Sequence, residues 1–252
     1  MSVYARYSWR MNLLLDLGNS RLKWGLTKGT GCPLVAHGSA SYAAEELQTL
    51  ALAWHEAAID QVCYASVVSP DQEQAVLSLL PSTARSCRFI VSAQFGTLRN
   101  GYGTPQTLGI DRWAAAIGAW TKVQRDCLVI SAGTATTIDV IEAVQGGGVY
   151  RGGLIIPGVD LMLRSLHQGT ARLPDAMGHY RPAPDVPDNT DDAMVSGAIE
   201  ATCGAIVRMA SRLPQDAPWL LTGGSAHPLQ DALAQRATVI GEGLVLQGLA
   251  QV

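Results

Sequence analysis

The hydrophobic pattern opens on an apolar run, Leu13-Leu14-Leu15, which carries one carboxylate, Asp16, before Leu17. After Gly18-Asn19-Ser20 the pattern changes, and Leu22, Trp24 and Leu26 alternate with Arg21, Lys23 and Gly25. A continuous apolar run marks a strand buried on both faces, and strict alternation marks a strand with one wet face. The link is rich in residues that tolerate positive φ, so the pair reads as a hairpin. Beyond it, 43–58 reads as an amphipathic helix and 62–68 as a buried strand. Residues 71–80 form a short helix started by Ser69 or Pro70 and stopped by Pro81, and 89–91 a further strand. The Gly-rich stretch 99–108, closed by Pro105, reads as loop. From 111 to about 123, Trp113, Ala116, Ile117 and Trp120 recur at helical spacing, which places the two tryptophans in a core rather than on a stacking platform.

The opening pattern then returns. Cys127-Leu128-Val129-Ile130 is apolar, Ser131-Ala132-Gly133-Thr134 turns, and a second strand runs on to Ile141. Gly133 follows Gly18 by 115 positions, about one small domain. The chain therefore reads as two related halves, each presenting a strand–turn–strand tip, with two unrelated hairpins as the plain alternative. Gly152-Gly153-Leu154-Ile155-Ile156-Pro157-Gly158 is followed by a helix over 159–167. Residues 169–192, rich in Pro, Asp and Gly, read as a long excursion of the kind that is usually functional. A helix over 194–212, a strand at 219–224 ending in a glycine pair and a short apolar helix over 244–252 complete the chain. The expected division is an extension at 1–11, an N-terminal domain at 12–119 and a C-terminal domain at 120–252, the last helix packing back on the first domain.

Composition narrows the class. The 252 residues are 48% hydrophobic and 15% charged, ample for a buried core. A net charge of −3 offers no general attraction to nucleic acid or to an anionic membrane, so neither is expected as a partner. No apolar run approaches the ~20 residues of a membrane span. The first ten residues lack the apolar core of a secretory signal, and Met11 reads as the natural start. Five scattered cysteines without a CxxC pair, and five histidines without ligand spacing, speak for a reduced, cytoplasmic protein and against a zinc site.

Chemistry concentrates at the first tip. The backbone N–H groups of Gly18, Asn19 and Ser20 can hold phosphate oxygens, Lys23 can add a point charge, and Asp16 can hold a magnesium ion or its water. A surface-strand lysine is the plain alternative for Lys23. Asp111 follows Gly109 and Ile110 and precedes Arg112, and is either an ordinary helix N-cap or a base.

Taken in order, Asp16-x-Gly18-Asn19-Ser20-x-x-Lys23, Gly109-x-Asp111-Arg112, Gly133-Thr134-Ala135-x-Thr137, Gly152-Gly153-x-Ile155-x-Pro157-Gly158 and Thr222-Gly223-Gly224 resemble the type III pantothenate kinases, members of the acetate and sugar kinase/heat-shock/actin superfamily. The resemblance spans roughly 12–248. It implies an α/β fold of two actin-like (ribonuclease H-like) domains with a nucleotide cleft between them. It also implies ATP-dependent phosphorylation of pantothenate to 4'-phosphopantothenate, the first step of coenzyme A synthesis, by a homodimer.

Residue by residue, the resemblance makes Asp111 the base. Tyr102, Gly109, Ile110, Arg112 and Thr190 become contacts of pantothenate, and Thr134 joins the first tip as an ATP ligand. Loop packing remains open for Tyr102, an ST-turn for Thr190 and a plain turn for Gly223-Gly224. The sequence departs from the family at Ser131, where many members carry an Asp that binds an activating potassium or ammonium ion. A serine hydroxyl is a weaker ligand, which puts that cation in question and leaves Asp16 as the metal carboxylate. The family also includes accessory factors of transcriptional regulation, so a non-catalytic nucleotide-binding regulator is the second reading.

Overall fold

The computed structural model describes residues 10–169, 178–234, 236–241 and 243–252. Expectations for residues 1–9, and for 170–177 within the long excursion, fall outside the described residues. The chain clusters into two compact units, one of 1–96, 102–122 and 242–252, the other of 97–101 and 123–241. The strands are β1 (Met11–Leu17), β2 (Leu22–Thr27), β3 (Leu34–Ala40), β4 (Ile59–Ser66), β5 (Arg85–Arg88), β6 (Gln94–Phe95), β7 (Leu98–Asn100), β8 (Cys127–Ala132), β9 (Ala135–Val144), β10 (Gly147–Pro157), β11 (Trp219–Thr222) and β12 (Ala237–Val239). The helices are α1 (Ala44–Glu56), α2 (Pro70–Leu77), α3 (Ile110–Val123), α4 (Val159–Gly169), α5 (Thr190–Ala210), α6 (Ala226–Ala232) and α7 (Leu244–Leu249).

In the first unit the strand order is β3-β2-β1-β4-β5. β1 pairs antiparallel with β2, β2 antiparallel with β3, and β1 and β4 parallel with β4 and β5 respectively. β1 is central, which is why its sequence is apolar on both faces. Leu13, Leu15 and Leu17 join Leu22, Trp24, Leu26 and Trp54 of α1 in one core. The opposite face carries Asn12, Leu14 and Asp16, aligned with Thr27, Gly25 and Lys23 on β2 and with Gln61, Cys63 and Ala65 on β4. The alternation of β2 predicts that this second face is wet. Of the β2 residues on it only Lys23 keeps partial exposure, because α7 packs on β1, β2 and β4 and brings Leu246 against Gly25.

Helix α3 lies backbone-to-backbone on α7. A Cβ on Gly118 would sit 2.3 Å from the Leu244 carbonyl oxygen, and one on Gly248 would sit 1.9 Å from that of Ala114. Trp113 and Trp120 are buried, as their spacing predicts, and Trp113 Nε1–H donates to Ser92 Oγ at 3.3 Å. Ser69 caps α2 through its Oγ, which accepts the Gln72 N–H, with Pro70 at the first helical position.

The second unit repeats the first. Its strands run β10-β9-β8-β11-β12, with the same two antiparallel and two parallel pairings, and β7 adds to β10. Leu128, Ile130, Ile138 and Leu221 pack on Ile199 and Ile206 of α5. Helix α5 is 21 residues long and, by length and composition alone, could cross a membrane. Half of its apolar window is buried in this core instead.

Two local expectations fail. The strand expected at 89–91 is β5 at Arg85–Arg88, although Phe89 N–H still donates to the Tyr64 carbonyl at 2.8 Å. Within the expected loop 99–108, Arg99 and Asn100 belong to β7 and Pro105–Thr107 form a single 3-10 turn.

Candidate active site

At the first tip, β1 and β2 place Asp16 directly opposite Lys23, and the lysine Nζ stands 3.7 Å from an Asp16 carboxylate oxygen. The link is a four-residue loop closed by Gly18 N–H donating to the Arg21 carbonyl at 3.2 Å. Contrary to the expectation of positive φ, neither Gly18 nor Asn19 adopts it. Gly18 is explained by close approach: a Cβ there would sit 3.1 Å from the Arg21 carbonyl oxygen. Asn19 and Ser20 are exposed at the apex.

Asp16 is 6% exposed, and burial pushes its carboxyl up to about 6. Lys23 opposes that rise, and the charge of Asp111 adds to it. The structure thus brings the candidate base and the candidate metal carboxylate into electrostatic contact within one unit. The Asp111 charge thus helps Asp16 to keep its proton, and an arriving cation would favour the ionised Asp16.

Asp111 is the second residue of α3. The cap position belongs to Gly109, whose carbonyl accepts Trp113 N–H at 3.0 Å. The ordinary N-cap explanation for Asp111 therefore does not hold. Its Oδ1 accepts Arg112 N–H at 2.9 Å, which orients the carboxylate at the helix start, and a Cβ at Gly109 would press to 2.8 Å from that oxygen. Arg112 is 6% exposed. Its Nη1–H donates to Tyr102 Oη at 2.9 Å, and the guanidinium carbon stands 5.7 Å from the Tyr102 ring centroid. Ile110 opens the helix and is partly exposed.

Tyr42 carried no sequence signal, yet it belongs to this site. Its hydroxyl donates to the Gly18 carbonyl at 2.8 Å, and burial together with the Asp16 charge pushes its phenol up to about 12. A contact spanning 24 positions leaves no trace in local periodicity.

The second tip is built differently. Ser131 pairs with Thr137 on β9 and with Thr222 on β11, giving a row of three neutral hydroxyl side chains across three strands. Gly133 and Thr134 are exposed at the apex. The tip is wedged by glycines from elsewhere in the same unit. Gly158 N–H donates to the Thr134 carbonyl at 2.9 Å, and a Cβ on Gly158 would lie 2.0 Å from the Gly133 carbonyl oxygen. A Cβ on Gly223, whose φ is +109°, would lie 2.2 Å from that of Ala132. Gly158 and Gly223, one from each glycine motif, therefore support the tip's backbone. Asp139, on the same sheet face as Ser131, is buried and its Oδ1 accepts from Tyr150 Oη at 2.9 Å. Thr190 is the first residue of α5, exposed, with Asn189 as the cap.

Comparison with known proteins bears on the whole chain. The family model for type III pantothenate kinase matches residues 12–212. A type III pantothenate kinase of Azoarcus sp. (strain BH72) is 40% identical over 245 residues, covering 95% of this chain and 89% of that one. Among solved structures, a conserved Campylobacter jejuni protein named as a Baf family transcriptional activator superposes with a TM-score of 0.57 at 20% identity, over 94% of each chain. The activator of the 2-hydroxyisocaproyl-CoA dehydratase from Clostridium difficile, with bound ADPNP, superposes with a TM-score of 0.54 at 11% identity, over 96% of this chain and 92% of that one. Likeness at that level of identity carries the fold alone, an actin-like α/β architecture.

Proposed function

The chain belongs to the type III pantothenate kinase family, and we propose that its first unit carries the acid–base and charge-handling groups of the reaction. The enzyme transfers the γ-phosphoryl group of ATP to pantothenate, forming 4'-phosphopantothenate at the entry to coenzyme A synthesis. The observation that carries the residue assignment is the meeting of Asp16, Lys23 and Asp111 in one electrostatic site.

Phosphoryl transfer asks the protein for positioning and charge neutralisation more than for covalent chemistry. In our reading, the N–H groups and side chains of Gly18, Asn19 and Ser20 hold phosphate oxygens and Lys23 neutralises them. Asp111 accepts the proton of the attacking primary hydroxyl. Arg112, fixed by Tyr102, faces the polar and anionic groups of pantothenate, with Gly109 and Ile110 lining the approach. Thr134 contributes a hydroxyl toward phosphate from the second tip, and Thr190 a contact to pantothenate in a homodimer. The protein works in the cytoplasm.

The donor set fits a magnesium ion that arrives with ATP. Among the described residues no cluster of three or more His, Cys, Asp or Glu side chains forms a self-sufficient metal cage. Magnesium is commonly held by one or two carboxylates plus substrate phosphates, and Asp16 supplies a buried carboxylate of that kind. When bound, the ion withdraws charge from the transferring phosphoryl group. At the second tip, Ser131, Thr137 and Thr222 offer neutral oxygens, weaker ligands than a carboxylate, so activation by potassium or ammonium is weak or relies on other oxygens such as backbone carbonyls.

The test is an acceptor panel. With ATP and Mg²⁺, and with potassium and ammonium varied, ATP consumption should depend on pantothenate and yield a product one phosphoryl group heavier. Consumption with a sugar or short acid and not with pantothenate would overturn the substrate. Absence of consumption with every acceptor would favour a regulatory role.

A further inference from the structure

Cys63 on β4 and Cys87 on β5 are direct partners in the parallel register of the first unit. Neighbouring strands run about 4.8 Å apart, inside the 4.4–6.8 Å Cα separation that a disulfide bridges. Both residues line one pocket of about 310 Å³, together with Gln61, Arg85, Leu249 and Val252. Cys87 is exposed and Cys63 is partly exposed. β5 is the outermost strand of its sheet, four residues long and exposed throughout, so it can shift without disturbing a core. The kinase reading uses neither thiol.

We propose that Cys63 and Cys87 form a reversible modification site, a dithiol that low-molecular-weight disulfides convert into an intramolecular disulfide. In the first step the Cys87 thiolate, which is the accessible one, attacks a sulfur of the small disulfide RSSR. A Cys87–SR mixed disulfide forms and RS⁻ leaves, taking up the proton that Cys87 gave up. In the second step the Cys63 sulfur, losing its proton to solvent, attacks the Cys87 sulfur and expels the second RS⁻. Two protein thiols and one RSSR give one protein disulfide and two RSH.

Burial and the neighbouring Cys87 hold the Cys63 thiol up at about 11. That makes Cys63 the resolving partner rather than the first nucleophile. Adjacent parallel strands keep Cβ atoms wider apart than the ~3.8 Å a relaxed disulfide prefers. The bond should therefore be strained and readily reduced, as reversible disulfides are.

The experiment equilibrates the full-length protein in glutathione buffers of increasing disulfide content, then alkylates and digests it with trypsin and a glutamate-specific protease. Cleavage at Glu45, Glu46 or Glu56 separates Cys63 from Cys32, so the pairing is read unambiguously by mass. The expected result is a Cys63–Cys87 linked peptide that rises with the disulfide fraction and vanishes on addition of dithiothreitol. Cys63→Ser should accumulate the glutathione adduct on Cys87, and Cys87→Ser should slow modification of Cys63 by about tenfold or more. A wild-type adduct that persists on Cys87 with Cys63 still free would overturn the proposal, as would equal modification of all five cysteines.

Discussion

The two hairpin tips share a topology and differ in what occupies it. The first sets a carboxylate against an ammonium across the strand pair, Asp16 opposite Lys23, and closes over a loop whose apex is exposed. The second sets Ser131 opposite Thr137, and two glycines press against its backbone carbonyls. The first tip spends folding free energy on a buried, charge-strained site. The second devotes its sequence to close backbone packing, with neutral hydroxyls across its strands, Thr137 and Thr222 buried and Ser131 half-buried. Duplication of a fold element thus fixes where groups can stand and leaves open which chemistry each copy carries.

The sharpest way to break the comparison is Asp111→Asn, which removes the proposed base beside the first tip and leaves the second intact. Turnover should fall by about 10²–10⁴ with little change in fold, the usual contribution of a positioned base. Steady-state kinetics with pantothenate check this, and a variant within a few-fold of wild type would remove Asp111 from the role.

Next comes Gly158→Ala, which loads the second tip. The added methyl would overlap the Gly133 carbonyl oxygen, and backbone cannot yield cheaply, so stability should drop by about 1–3 kcal/mol. Displacement of Thr134 should raise KM for ATP about tenfold or more. Gly18→Ala, where the same methyl would sit 3.1 Å from its nearest neighbour, should do less on both counts. Denaturant unfolding and KM for ATP rank the two, and the reverse order would contradict the account of the second tip.

The smallest effect is expected from Tyr42→Phe. Loss of one neutral hydrogen bond to the Gly18 carbonyl removes about 0.5–1.5 kcal/mol. KM for ATP should rise roughly 2–10-fold while kcat stays near wild type, which a kinetic split of the two parameters reads out.

Both tips were legible in the sequence because their flanking strands carry the clearest periodicity in the chain. The helix of Asp111 was legible for the same reason. What escaped lacked a local signal. β5 reads Arg-Ser-Cys-Arg and is exposed at every position, so an outer strand left no apolar pattern. β10 holds four of its eleven residues as glycine, a composition that argues against a strand. Backbone oxygens explain the bias: a Cβ at Gly147 would meet Thr97 O at 2.1 Å, and one at Gly153 would meet Ile138 O at 2.0 Å. The glycine pair Gly223-Gly224 was visible, but the task of Gly223, letting a strand end approach Ala132, required the folded structure. So did Tyr42, whose partner lies in a distant turn.

Asp16 is held in the first tip for function at a cost to the fold. Burial holds its folded carboxyl at about 6, above the ordinary aspartate value of about 3.9, so the folded chain keeps a proton that the unfolded chain releases. Stability should therefore fall as pH rises from about 4 to 6 and level off above, a loss on the order of 2–3 kcal/mol. Asp16→Asn cannot ionise and should escape that loss. The most direct measurement is the unfolding free energy of Asp16→Asn against wild type at pH 4 and pH 8, on protein whose turnover is assayed in parallel. The account predicts near-equal stability at pH 4, a more stable variant at pH 8 and turnover largely abolished. A variant less stable than wild type at pH 8, or one that keeps wild-type turnover at saturating ATP, would contradict it.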